Sequence, residues 1–181
     1  MISKWRKLSV RGRYADRVLS VDHVEYFYEG AGVSMPFTVV NTSDWVVVIP
    51  VDEDGRFILV KQFRAGTESL TFEFPGGAVN TGETHEKAAQ RELLEETGSL
   101  AQELEHIGTI APNPAFMKNS AYVYFAKGCK VTSTLNLDPF EDIEVIKVGQ
   151  DELQEMIKNG SINHSIVVAA FAIYMLKKCC G

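Results

Sequence analysis

Through the first two thirds of the chain, apolar positions fall into short runs broken by clusters of glycine, asparagine, aspartate and proline. That is the pattern of strands joined by turns. Residues 16–28 read as extended, Glu29-Gly30-Ala31-Gly32 as a turn, and 35–40 as a second strand closing a hairpin or short meander. Asn41-Thr42-Ser43-Asp44 breaks the chain. Residues 45–51 are continuously apolar, suited to a strand covered on both faces, and Asp52-Glu53-Asp54-Gly55 turns the chain back into 56–64. Residues 69–74 lead into a glycine turn, Pro75-Gly76-Gly77. Further strands are predicted at 104–110 and 120–127, separated by a proline-containing loop at 111–119, with a last one at 143–148. Residues 150–159 start a helix ended by Gly160, and 165–176 form an apolar helix too short to span a bilayer, hence packed on the sheet. The order of elements predicts an α/β fold, a mixed sheet between helices preceded by N-terminal antiparallel strands.

Between Thr84 and Gly98 the spacing changes from strand to helix. Thr84 is placed to cap the N-terminus, no glycine or proline interrupts, and Gly98 is placed to end the helix in a left-handed conformation. Glu92, Glu95 and Glu96 then fall within an arc of about 100° on that helix. Like charges at this spacing destabilise an isolated helix by about 0.3 kcal/mol. A cluster retained against that cost points to a bound cation. With oxygen ligands only, the cation is Mg²⁺ or Mn²⁺ rather than zinc. His85 lies near the same face, but one histidine among glutamates makes no zinc site; His23, His106 and His164 are scattered.

Composition narrows the reading. A chain of 181 residues with 45% hydrophobic and 23% charged residues can bury a core without disulfides. A net charge of −6 argues against a nucleic-acid surface, although Lys4, Arg6, Lys7, Arg11 and Arg13 make the N-terminus locally basic, a run read as solvated. Cys129, Cys179 and Cys180 show no metal spacing and cannot all pair, which suits a reducing, cytoplasmic setting. No long apolar run follows the first basic residues, so no secretory signal is expected. The vicinal cysteines at the end read as a frayed terminus.

The spacing Gly77, five residues, Glu83, seven residues, Arg91-Glu92-Leu93, one residue, Glu95-Glu96, one residue, Gly98 resembles the Nudix box. Its one departure is Ser99, where the family carries an aliphatic residue; the ligands are untouched. The resemblance implies the Nudix α/β/α sandwich and hydrolysis of nucleoside diphosphates linked to another moiety. It also implies metal binding by Glu92, Glu95, Glu96 and the Gly76 carbonyl, and structural roles for Glu83 and Arg91, which hold the loop against the helix.

Features outside the box resemble the ADP-ribose and nucleoside diphosphate sugar pyrophosphatase branch. Lys61-Gln62-Phe63-Arg64 precedes the box, and the resemblance implies that Arg64 contacts substrate phosphate. Phe72-Glu73-Phe74-Pro75-Gly76-Gly77 resembles the branch's entry to the box, with Glu73 either at the metal or substrate or a buried structural glutamate, and Gly77 close to a phosphate. Pro114 stands sixteen residues past Gly98, where that branch carries proline, in the segment Pro112-Asn113-Pro114-Ala115-Phe116-Met117. Pro114 and Phe116 are therefore expected at the substrate. The water-activating glutamate of the branch aligns with Pro139, which cannot act as a base; Glu141 is preferred, with Asp138 or Glu96 as alternatives. The nucleobase is expected to stack on Phe37, with Tyr26 and Tyr28 behind it. The basic residue expected soon after the second strand is replaced by Asn41 and Thr42, so adenine and guanine both stay open. By resemblance the partner is a second copy, a homodimer exchanging N-terminal strands, with no nucleic acid and no membrane. Residues 1–44 would serve dimerisation and base binding, and 45–181 would form the Nudix domain. The expected activity is Mg²⁺-dependent hydrolysis of nucleoside diphosphate sugars, ADP-ribose first, with Glu95, Glu96 and Glu141 catalytic. The alternatives are a GDP-mannose, dinucleotide or nucleoside triphosphate hydrolase, or a catalytically weak ADP-ribose-binding sensor.

Overall fold

The computed structural model describes residues 4–137 and 142–179. The chain divides into two compact units, one of residues up to 43 together with 111–120, the other of 44–110 together with 121 onward.

In the first unit β1 (Trp5–Ala15), β2 (Leu19–Tyr28) and β3 (Val33–Thr42) form an antiparallel sheet in that order. The basic run read as solvated is therefore a strand, although every side chain along it is exposed. Apolar Trp5, Leu8, Val10 and Tyr14 are interleaved with Arg6, Lys7, Arg11 and Arg13, and charges along an edge strand discourage further pairing. Residues 111–120 fasten to β3 by backbone bonds: Val40 N–H donates to the Phe116 carbonyl at 2.7 Å, and Lys118 N–H to the Val40 carbonyl at 3.0 Å.

The second unit holds β4 (Trp45–Asp52), β5 (Phe57–Arg64), β6 (Ser69–Glu73), β7 (Gly76–Ala78), α1 (His85–Thr97), β8 (Ser99–Leu100), β9 (Glu103–Ile110), β10 (Ala121–Val131), β11 (Glu144–Val148), α2 (Gln150–Lys158) and α3 (Ser165–Cys179). The sheet runs β11-β5-β4-β10-β8, with β6 on β5, β7 on β4 and β9 on β10. It is mixed because β10 runs parallel to β4, Ala121 opposite Trp45 through Phe125 opposite Ile49.

Strand alternation sends the core two ways. Val47, Ile49, Phe57 and Leu59 pack with Leu153 of α2 and with Val167, Ala170 and Phe171 of α3. Their neighbours Val46, Val48 and Ile58 pack with Ala88, Ala89 and Leu93 of α1. This is why residues 45–51 read as continuously apolar. Burying Leu93 alone contributes about 2 kcal/mol. Cys129 lies in the second of these clusters, and burial pushes its thiol up to about 11, which favours the protonated form. Cys179 is the last residue of α3 and is exposed, and Cys180, read with it as a frayed terminus, lies outside the described residues.

The glycine turn expected at Pro75-Gly76-Gly77 is instead, from Gly76 on, the strand β7. Gly76 pairs with Val47 and Gly77 with Val46. These glycines serve close approach, not a left-handed turn: a Cβ on Gly76 would collide with the Val46 carbonyl, and one on Gly77 with the Glu92 carboxylate. β7 thereby lies against the first half of β4, while β5 joins the β4 ladder at Phe57, opposite Val51.

Candidate functional site

Helix α1 is closed at both ends as its sequence predicts. The Thr84 hydroxyl accepts from Lys87 N–H, and Gly98, at φ 65°, donates its N–H to the Leu94 carbonyl. The helix faces the sheet with Ala88, Ala89 and Leu93, which turns its carboxylates toward β7.

Arg91 is the centre of those carboxylates. Its Nε and Nη2 donate to the two oxygens of Glu83 at 2.9 and 3.0 Å, and Nη2 also reaches the Ala78 carbonyl at 3.1 Å. Its Nη1 donates to Glu92 Oε1 at 2.7 Å and to Glu95 Oε2 at 3.1 Å. The guanidinium pKa is raised, chiefly by the hydrogen bonds it donates to Glu83 and then by Glu92 and Glu95, against the opposing effect of burial. Glu83 is held below the usual carboxylate range, first by Arg91 and, against burial, by the Asn80 N–H. Glu96 is only 3% exposed, and its Oε2 accepts the Gly76 N–H at 2.9 Å, so the last turn of the helix is bonded to β7.

Among the described residues, no three Asp, Glu, His or Cys side chains converge as a ready-made cation site. The reason is local: the positive centre that Glu92 and Glu95 now share is Arg91 Nη1. The donor chemistry nevertheless fits a hard divalent cation, with three carboxylates of one helix and no soft ligand. His85 plays no part, because its ring stacks on Tyr122 with centroids 3.5 Å apart.

A second polar group lies on the β5–β6 hairpin. Arg64 Nε and Nη2 each donate to one oxygen of Glu73 at 2.7 Å, the Thr71 hydroxyl donates to Glu73 Oε1, and Glu73 is 3% exposed. Burial works to raise the Glu73 pKa, but the hydrogen bonds and charge of Arg64 outweigh it and hold the carboxyl below its ordinary value. The Arg64 guanidinium also lies 5.9 Å from the centre of the Trp45 ring.

In the first unit a cleft of about 460 Å³ is lined by Trp5, Tyr26, Phe37, Pro114, Phe116 and Lys118, among others. Phe37 meets Trp5 and Tyr26 edge to face, at 6.1 and 5.8 Å between centroids. Trp5 stacks on Tyr28 at 4.5 Å. Of the residues expected on a nucleobase, Phe37 and Tyr26 share this cleft, together with Pro114 and Phe116, while Tyr28 is not part of its lining. Trp5 was missed because it opens a basic run, and Thr71 because a threonine two residues before a glutamate carries no signal until the strand puts both on one face. Glu141, Asp138 and Pro139 lie outside the described residues.

Comparison with known proteins agrees with this geometry. The NUDIX domain model matches residues 42–171. A methanol dehydrogenase activator from Bacillus methanolicus is 30% identical over 161 residues, covering 88% of this chain and 85% of its own. An ADP-ribose pyrophosphatase from Bacillus subtilis (strain 168) is 31% identical over 134 residues, covering 74% and 72%. A crystal structure of an ADP compounds hydrolase superposes with a TM-score of 0.83 over 97% of this chain and 93% of that one; at 22% identity it shows the fold alone. The chain belongs to the Nudix hydrolase family. Members of that family generally use divalent metal ions. Among the described residues no helix is long and apolar enough to cross a membrane.

Proposed function

We propose that this protein hydrolyses the pyrophosphate bond of nucleoside diphosphate sugars, ADP-ribose first, giving a nucleoside monophosphate and a sugar phosphate. The observation that carries the reading is its 31% identity, over 134 residues, to an ADP-ribose pyrophosphatase. The intact carboxylate cluster around Arg91 supports a catalytic rather than a silent domain. Glu92, Glu95, Glu96 and the Gly76 carbonyl would hold Mg²⁺, or Mn²⁺ in its place. When bound, the ion would offset the charge of the diphosphate oxygens and so lower the barrier to attack by water. Arg64 and the Gly77 backbone would contact phosphate, and Phe37, Pro114 and Phe116 the nucleoside. Glu73 stands beside Arg64. Glu83 and Arg91 keep the loop after β7 on the helix. Glu141 is the proposed base, with Glu95 and Glu96 also in the catalytic group. If Glu141→Gln keeps near-full activity, the base is Asp138 or Glu96.

The protein is expected to act in the cytoplasm as a homodimer with exchanged N-terminal strands. A sedimentation experiment that finds only monomer would end the dimer reading. A panel of ADP-ribose, GDP-mannose, diadenosine polyphosphates and oxidised dGTP with Mg²⁺ tests the substrate, and ADP-ribose should be turned over fastest. Equal, trace turnover of every compound would favour a sensor instead. A second reading, an activator of an alcohol-oxidising dehydrogenase, is favoured by the 30% identity covering 88% of this chain. It requires that the protein raise the rate of a purified methanol dehydrogenase.

A further inference from the structure

The Arg64–Glu73 pair shows more than a contact between two candidate substrate residues. Both oxygens of Glu73 are taken: Oε1 by Arg64 Nε at 2.7 Å and by the Thr71 hydroxyl, Oε2 by Arg64 Nη2 at 2.7 Å. At 3% exposure the carboxylate is buried beneath the guanidinium it binds. Thr71 and Glu73 alternate along β6 and so project to the same side of the hairpin, and Arg64 pairs with Ser69 beside its turn. A carboxylate spent on two side chains in this way is poorly placed to reach a metal ion or a substrate.

We propose that Glu73 is a positioning residue that, with Thr71 behind it, fixes the direction of the Arg64 guanidinium and thereby sets affinity for the diphosphate without touching it. The proposal rests on the reading of Arg64 as the phosphate contact. An arginine side chain is long and rotamer-rich, and each binding event must otherwise immobilise it. The planar fork has two edges. Glu73 grips the Nε–Nη2 edge, which directs the Nη1 side away from the carboxylate. Trp45, 5.9 Å from the guanidinium, borders it from the ring side. The arginine is then held in one orientation before any ligand arrives, and the cost of ordering it is met in folding.

The test is steady-state kinetics of the Mg²⁺-loaded enzyme on ADP-ribose. Glu73→Gln places an amide N–H against an arginine N–H; KM should rise about tenfold while kcat falls less than threefold. Thr71→Val should raise KM about threefold, and Thr71→Ser should restore it. In an Arg64→Lys background, Glu73→Gln should change KM by less than about twofold, because its effect passes through the arginine. A full-sized change in KM in that background would mean that Glu73 meets the substrate itself and would overturn the proposal. So would a folded Glu73→Gln enzyme with unchanged KM. If melting and circular dichroism show that Glu73→Gln does not fold, the Thr71 pair decides: unchanged KM in Thr71→Val sinks the inference. A wild-type enzyme that leaves ADP-ribose intact overturns the proposed function, and this inference with it.

Discussion

The carboxylate helix and the aromatic cleft are built from opposite materials. At α1 and the turn before it, four glutamates are organised by formal charge: Arg91 donates to Glu83, Glu92 and Glu95, and Glu96 accepts a backbone N–H. In the cleft, Trp5, Tyr26 and Phe37 meet at centroid distances of 5.8 to 6.1 Å, through ring contacts that tolerate small shifts. The first arrangement depends on every member, because removing one leaves a charge without its partner. The second loses one increment of contact at a time. Reactivity and rigidity should therefore sit with the helix, and affinity with the cleft.

The largest effect that could break this contrast is on turnover. Glu96→Gln and Glu95→Gln are each expected to lower kcat by about 10²–10³, with an unchanged circular dichroism spectrum. Arg91→Ala should come next. It leaves three carboxylates facing one another and should cost roughly 2–3 kcal/mol of stability, read as a drop of about 5–10 °C in melting temperature. Phe37→Ala should raise KM for ADP-ribose about tenfold and leave kcat within threefold, with melting almost unmoved. A large loss of kcat there would erase the distinction between the two regions. The smallest effect is with pH. The folded-state pKa values of Glu83 and Glu73 lie below the ordinary carboxylate range. Their contribution is therefore complete above the unfolded value of about 4.3 and is lost as pH falls through the lower folded values. Melting measured from pH 7 downward should hold steady to the carboxylate range and then decline, and Glu83→Gln should flatten that decline.

The same contrast explains what could be read from the sequence. Residue identities at fixed offsets along one helix are visible in one dimension, so Thr84, Glu92, Glu95, Glu96 and Gly98 stood out, and the caps of α1 fall where they were expected. The strand at 45–51 was legible because both its faces are covered. Gly76-Gly77 misled, since glycine marks a turn in most sequences. Here the missing side chains let a strand approach the Val46 carbonyl and the Glu92 carboxylate, neighbours set by tertiary pairing. β1 was hidden for a related reason: its partner is β2, and nothing within Trp5–Ala15 buries a face to reveal a period. The aromatic cleft draws on β1, β2, β3 and residues 114–118, which are far apart in sequence, so only Phe37, Pro114 and Phe116 were singled out from it in advance, with Tyr26 behind Phe37.

The bond from Gly76 to Glu96 has a consequence of its own. The Gly76 amide, on β7, donates to Glu96 Oε2 at 2.9 Å. Whatever occupant recruits Glu96 must either keep that amide satisfied or strip it bare in the interior. The Gly76 amide proton is therefore a natural gauge of occupancy. Its chemical shift and its rate of exchange with deuterated solvent would register loading of the site before any product has formed.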